Sequence, residues 1–167
     1  VEIATNADFN IDRWAQDIEM DGLFFAACTL TTATLLVPAV VALAFIFDAN
    51  DPLAYLGFRR TSAKVIVASI VGTLLFIAAT DGLTWMLDRD VVPEFMIEVY
   101  SSARIVPLFW LALVVAAPLL EEIVFRGFLH QGLIHTRLGL PGTAIITSFL
   151  WASLHLQYDL YFITIIF

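Results

Sequence analysis

Leu111-Ala-Leu-Val-Val-Ala-Ala-Pro-Leu-Leu-Glu121-Glu122-Ile-Val-Phe-Arg126-Gly-Phe-Leu129 is the stretch on which the fold turns. Leu111 to Leu120 carry no charge, and Ile123, Val124, Phe125, Phe128 and Leu129 continue the apolar run on the far side of two glutamates and an arginine. A run of this kind reads as a membrane-spanning helix. An ionisable side chain at the centre of such a helix costs roughly 2.5 kcal/mol or more on insertion scales, so three within six positions mark a functional site.

The rest of the chain agrees with a lipid environment. Hydrophobic residues make up 60% of the 167 positions and charged residues 14%, and mean hydropathy is +0.90. That balance is far too apolar for a soluble domain. Four hydrophobic segments, at about 23–47, 65–87, 105–134 and 141–157, approach or exceed the roughly 20 residues that cross a bilayer core. A fifth starts at Tyr158 and is cut off at Phe167. The expected fold is therefore all-α, a polytopic transmembrane helical bundle of four spans plus the start of a fifth. Because the chain begins at Val1 rather than Met, and ends inside an apolar run, it reads as a fragment of a longer protein.

Residues 1–21 form a polar, acidic arm with Glu2, Asp8, Asp12, Asp17, Glu19 and Asp21 against one basic residue, Arg13. No basic start precedes an apolar core, so this is neither a signal nor a transit peptide. Positions 10–20 are expected to form a surface helix that touches the interface through Ile11, Trp14, Ile18 and Met20. Residues 22–167 form the transmembrane core. Arg59, Arg60 and Lys64 between the first two spans, with Arg137 between the third and fourth, place those loops in the cytoplasm and the N-terminus outside; Arg89 and Arg104 oppose the assignment. The net charge of −8 and the lack of any basic patch exclude nucleic acid as a partner. Membrane lipids are the expected neighbours. Cys28 is the single cysteine, so no intramolecular disulfide forms, and its place in an apolar run reads as a small buried hydrophobe.

Helical geometry sorts the charged cluster. Glu122 and Arg126 are four residues apart and share a face, whereas Glu121 and Arg126 lie about 140° apart. Arg126 is thus expected to pair with Glu122 and leave Glu121 free to face elsewhere. Two carboxylates in unlike environments suit general-base chemistry on water, one held ionised and the other available for a proton. His155 offers a partner. Glu121 lies 13 residues before Ile134 and His155 lies 15 after Leu140, or ~20 and ~22 Å along adjacent antiparallel helices. Their depths match. Pro118 has no N–H to give the Val114 carbonyl and is expected to disturb the helix one turn before Glu121.

Glu121-Glu122-x-x-x-Arg126, followed some thirty residues later by Trp151-x-x-x-His155, resembles the first two motifs of the CAAX prenyl protease and bacteriocin-processing family, the Abi-type glutamic intramembrane endopeptidases. The resemblance covers residues 105–160, and Leu56-Gly-Phe-Arg-Arg60 is similar to a basic loop common in bacterial members. It implies a protease-like core in a prokaryotic cell (inner) membrane. It also implies Glu121 and His155 as the pair that activates water, with Glu122 and Arg126 as supports. The substrate would be a membrane-associated peptide or protein with a hydrophobic or lipidated segment. Phenylalanine is usual four residues before the histidine, where this chain has Trp151. A third motif, a later histidine with asparagine or aspartate four residues on, is absent up to Phe167 and is expected beyond it.

Other readings compete. The cluster could be a buried charge network that fixes packing, or the ion path of a small transport subunit, although paired broken helices are missing. A non-catalytic scaffold or immunity partner is a further alternative. Neither metal nor organic cofactor is required: no His-Glu-x-x-His exists and His130 and His135 are five apart, which leaves a glutamate–histidine metal site assembled across helices as a lesser alternative. Those two histidines read as interfacial or solvated, and so do Asp81 and Asp159. Failing that, Asp81 would line the same cavity as Glu121.

Overall fold

The structure, a computed structural model, describes residues 11–47 and 51–167, and the regular elements among them are all helical. In chain order they are α1 (Ile11–Glu19), α2 (Gly22–Phe47), α3 (Pro52–Tyr55), α4 (Ala63–Met86), α5 (Glu94–Ser101), α6 (Val106–Ile134), α7 (Gly139–Ser153) and α8 (Leu160–Ile166). The first ten residues of the acidic arm, with Glu2 and Asp8, lie outside the described residues. Its remainder contains the expected surface helix, α1, on which Ile11 and Trp14 are exposed and Ile18 is half-buried.

Three helices are long and apolar enough to cross a membrane: α2, α4 and α6. The fourth apolar run differs from the sequence expectation. α7 has 15 residues, about 22 Å at 1.5 Å per residue, against a hydrocarbon core of about 30 Å. It starts earlier than expected, at Gly139, whose φ of +58 turns the chain without a Cβ clash. It also stops earlier, at Ser153, although Leu154 and Leu156 keep the sequence apolar. Residues 154–159 form a non-helical turn, and α8 begins the fifth apolar run at Leu160.

α6 is continuous but not uniform. α-Helical Val106–Trp110 opens into π-helical Leu111–Ala116, returns to α over Ala117–Glu121, and widens again over Glu122–Leu129 before His130–Ile134 closes it. The expected disturbance at Pro118 takes this form: in the turn before it, the Ala117 N–H reaches back to the Ala112 carbonyl. Widened turns of this kind are frequent at functional sites. Glu121 and Glu122 sit at the second transition.

Packing holds α2, α5 and α6 together. Ala26 of α2, Phe95 and Val99 of α5, and Phe109 and Ala112 of α6 form one buried cluster. Ala44, Leu56 and Ile123 form a second, flanked by Tyr55 and Phe128. The start of α2 is fixed by polar contacts. Asp21 Oδ1 accepts from the Leu23 and Phe24 N–H groups, both at 2.9 Å, and the Gly22 N–H donates to Ser102 Oγ at 2.8 Å.

α4 stands apart. None of its most apolar window is buried, so lipid is its natural neighbour. It ends in a Schellman arrangement, with Asp88 at φ 55, the Arg89 N–H on the Thr84 carbonyl and the Asp88 N–H on the Trp85 carbonyl. This turn aims Arg89 at α8. There it meets Asp159 Oδ2 at 2.9 Å and covers the Tyr161 ring, while Thr84 Oγ1 and the Tyr161 hydroxyl share a hydrogen bond of 2.8 Å.

Candidate active site

α7 packs back along the C-terminal half of α6, and this brings Trp151 level with Glu121. The indole N–H of Trp151 donates to Glu121 Oε2 at 2.9 Å. The expectation that His155 itself stands opposite Glu121 on a helix needs correction. Because α7 begins at Gly139, Trp151 takes that level, and His155 lies one turn further on, outside the helix. The chain nevertheless returns His155 to the site. Its Nδ1 lies 2.8 Å from the Trp151 carbonyl; since a carbonyl can only accept, Nδ1 carries the proton and Nε2 is the free ring nitrogen. The imidazole packs against the Trp151 ring at 4.5 Å between centroids and stacks on Tyr158 at 6.0 Å and 15°.

Glu121 and His155 line one cavity of about 770 Å³. Its walls come from α2, α5, α6 and α7 and include Phe25, Leu36, Phe95, Leu113 and Val124, with Cys28, Thr29 and Thr32 on the α2 side. A space of this size, mainly apolar with a few converging polar groups, has the character of a ligand pocket. Both residues are half-buried, and no hydrogen bond joins them directly among the described residues.

Glu122 and Arg126 form the expected pair, with Arg126 Nη1 3.4 Å from Glu122 Oε1. Both side chains are largely exposed, at 61% and 79%. They border a second, smaller recess of about 260 Å³ together with Thr147 and Ser148. Glu121 and Trp151, with Pro118 and Phe125, line both spaces and form the partition between them.

Reading the sequence missed three things here. Trp151 stands where phenylalanine is usual, and its indole nitrogen is the group bonded to Glu121; the signal was that tryptophan donates a hydrogen bond and phenylalanine does not. Tyr158 was simply the start of a fifth span, whereas it stacks on the histidine. Leu56-Gly-Phe-Arg-Arg60 was a basic loop, whereas Leu56 is a core residue that packs beside Gly127. No sequence signal foretold those last two contacts.

Other charged and polar candidates fall elsewhere. Asp81 lines a separate cleft with Thr80, Thr84 and Pro93 and is not a wall residue of the Glu121 cavity. Asp159 caps α8 through the Phe162 N–H at 2.9 Å. That hydrogen bond first, and then Arg89, holds its carboxyl below the usual carboxylate range. His130 and His135 lie at the end of α6, half-buried and exposed respectively. Among the described residues no three His, Cys, Asp or Glu side chains converge on one point.

No curated protein and no solved structure gives a significant match to the chain. Residues 103–167, the stretch that holds Glu121, Glu122, Arg126 and His155, match the family model described as type II CAAX prenyl endopeptidase Rce1-like, a family of CAAX proteases; with three helices of membrane-spanning length and apolarity, this marks the chain as an integral membrane protein similar over that stretch to those endopeptidases.

Proposed function

We propose that the chain is an intramembrane endopeptidase that hydrolyses a peptide bond in a hydrophobic or lipidated, membrane-associated peptide. The observation that supports this reading is that Glu121 and His155 line a single large cavity while Trp151 holds both of them. In the proposed reaction Glu121 takes a proton from a water whose second O–H is oriented by His155 Nε2. The water oxygen bonds to the scissile carbonyl carbon. The proton then passes to the amide nitrogen, the C–N bond breaks, and a carboxylic acid and an amine leave. General-base catalysis by a positioned carboxylate contributes roughly a hundredfold to ten-thousandfold.

The apolar walls favour a substrate that arrives from lipid, a prenylated peptide being the first probe. Glu122 and Arg126 would set the electrostatics of the second recess beside Glu121. A prokaryotic cell membrane is proposed as the location on the strength of the Leu56-Gly-Phe-Arg-Arg60 run alone.

The test is cleavage of a quenched-fluorescence peptide bearing a prenylated cysteine, by the chain in lipid nanodiscs. Glu121→Gln and His155→Ala should each lower the rate by at least a hundredfold with helix content unchanged. Cleavage at the native rate by either folded variant overturns the mechanism and favours a scaffold or ion-path role.

A further inference from the structure

Trp151 touches both reacting groups, and it does so through different atoms. Its indole N–H binds one oxygen of Glu121, its backbone carbonyl binds His155 Nδ1, and its ring lies against the imidazole. Each contact removes a freedom the proposed chemistry cannot tolerate. With Oε2 already accepting from the indole, Oε1 is the carboxylate oxygen with both lone pairs open to receive a proton. With Nδ1–H engaged by the carbonyl, the imidazole is fixed in one tautomer and presents Nε2. The hydrogen bond also spans the partition between the two recesses, so Glu121 is held at the boundary rather than swinging into either.

We propose that Trp151 is a positioning residue for the proposed hydrolysis, and that its indole N–H, rather than its aromatic bulk, carries the effect. The inference rests on the reading of Glu121 and His155 as the reacting pair and adds to it a hydrogen-bond donor that phenylalanine at this position cannot supply. The carbonyl contact to His155 is a main-chain interaction and survives any side chain at 151. The indole contact does not. Removing the N–H while keeping the ring therefore separates the two: the histidine keeps its carbonyl and ring contacts and the glutamate is released.

The experiment uses the full chain in lipid nanodiscs and the prenylated fluorogenic peptide. One variant is Trp151→Phe. The other replaces Trp151 with its benzothiophene isostere, which keeps the ring shape and loses only the N–H, so it tests the idea even where the phenylalanine variant folds badly. Both should lower kcat at least tenfold because the carboxylate is misplaced, and the isostere, which keeps the wall Trp151 contributes, should leave KM within twofold. An independent readout is the indole N–H resonance of Trp151, identified by its loss in Trp151→Phe. It should move in Glu121→Gln, where a neutral amide replaces the charged acceptor.

A native kcat in the isostere variant overturns the proposal, and so does a Trp151 resonance that is indifferent to Glu121→Gln. The failure of the underlying reading looks different. In that case Glu121→Gln itself cleaves at the native rate, and the positioning role falls with it. Loss of activity in Glu121→Gln beside native activity in the isostere leaves the catalytic reading in place and removes only Trp151 from it.

Discussion

Gly127 lies against the backbone of Leu56 so closely that a Cβ at 127 would sit 3.0 Å from the Leu56 carbonyl oxygen and 3.4 Å from the leucine Cβ and Cδ2. The contact locks the loop after α3 onto α6, one residue beyond Arg126. Two effects oppose each other in Gly127→Ala. Helix propensity gains up to about 1 kcal/mol, while a methyl pressed into a packed backbone loses about 1–3 kcal/mol. The neighbour is a carbonyl anchored by the Ala44–Leu56–Ile123 cluster and gives way poorly, so packing wins. Gly127→Ala should lower the thermal midpoint in detergent slightly and Gly127→Val strongly. A Gly127→Val midpoint at or above the native one would show that the loop moves aside freely.

A single hydroxyl ties the start of α2 to the end of α5. Ser102 Oγ accepts from the buried Gly22 N–H at 2.8 Å and lies 2.6 Å from the Met20 carbonyl, to which it donates. Ser102→Ala removes both links and leaves a helix-start donor inside the α2–α5 contact without a partner. An unsatisfied buried group of this sort costs about 1–3 kcal/mol. Amide exchange at Gly22 should accelerate about tenfold or more, with exchange in α4 unchanged. Unaltered protection at Gly22 would mean that water replaces the hydroxyl at no cost.

How much of this was legible follows from what each signal encodes. Hydropathy reports the transfer of side chains into lipid, so α2, α4 and α6 were readable nearly to their ends. It does not report where backbone hydrogen bonds stop, and Leu154 and Leu156 hid the turn that carries His155. The i,i+4 rule found the Glu122–Arg126 contact because that pairing is local. The bond from Trp151 to Glu121 crosses 30 positions and depends on where α7 begins, and Gly139 sets that through a backbone conformation. The π-helical turns were equally out of reach: Pro118 announced a disturbance, but not that widened hydrogen bonding would absorb it.

Asp159 gives the junction between α4 and α8 a pH dependence. Its carboxylate caps α8 through the Phe162 N–H and receives the Arg89 guanidinium at 2.9 Å, and both contacts hold its pKa below the ordinary value. A carboxyl lowered in the folded state contributes stability that is fully present above the unfolded value of about 3.9. That contribution is lost as the pH falls through the lower, folded value. Protection of the Phe162 amide should therefore be constant from neutral pH to about 5 and decline in more acid solution. In Asp159→Asn the decline should vanish, with protection lower throughout. An acid decline that persists unchanged in Asp159→Asn would assign it to another group.

Glu122 and Arg126 test whether charge balance or chemistry governs the second recess. They lie on a turn of an apolar helix, 3.4 Å apart and largely uncovered by the rest of the chain. Removing one partner leaves the other as an uncompensated charge beside lipid, at a cost of about 2.5 kcal/mol when near the bilayer centre. Removing both leaves an apolar surface that lipid accepts. Arg126→Leu should therefore lower the thermal midpoint in bicelles more than the double variant Glu122→Leu/Arg126→Leu, the reverse of additive behaviour. Activity should follow a different order. If the pair shapes the field at Glu121, the double variant regains stability without regaining the cleavage rate. A double variant that is both stable and fully active would reduce the pair to a local charge balance and leave Glu121, Trp151 and His155 as the whole of the site.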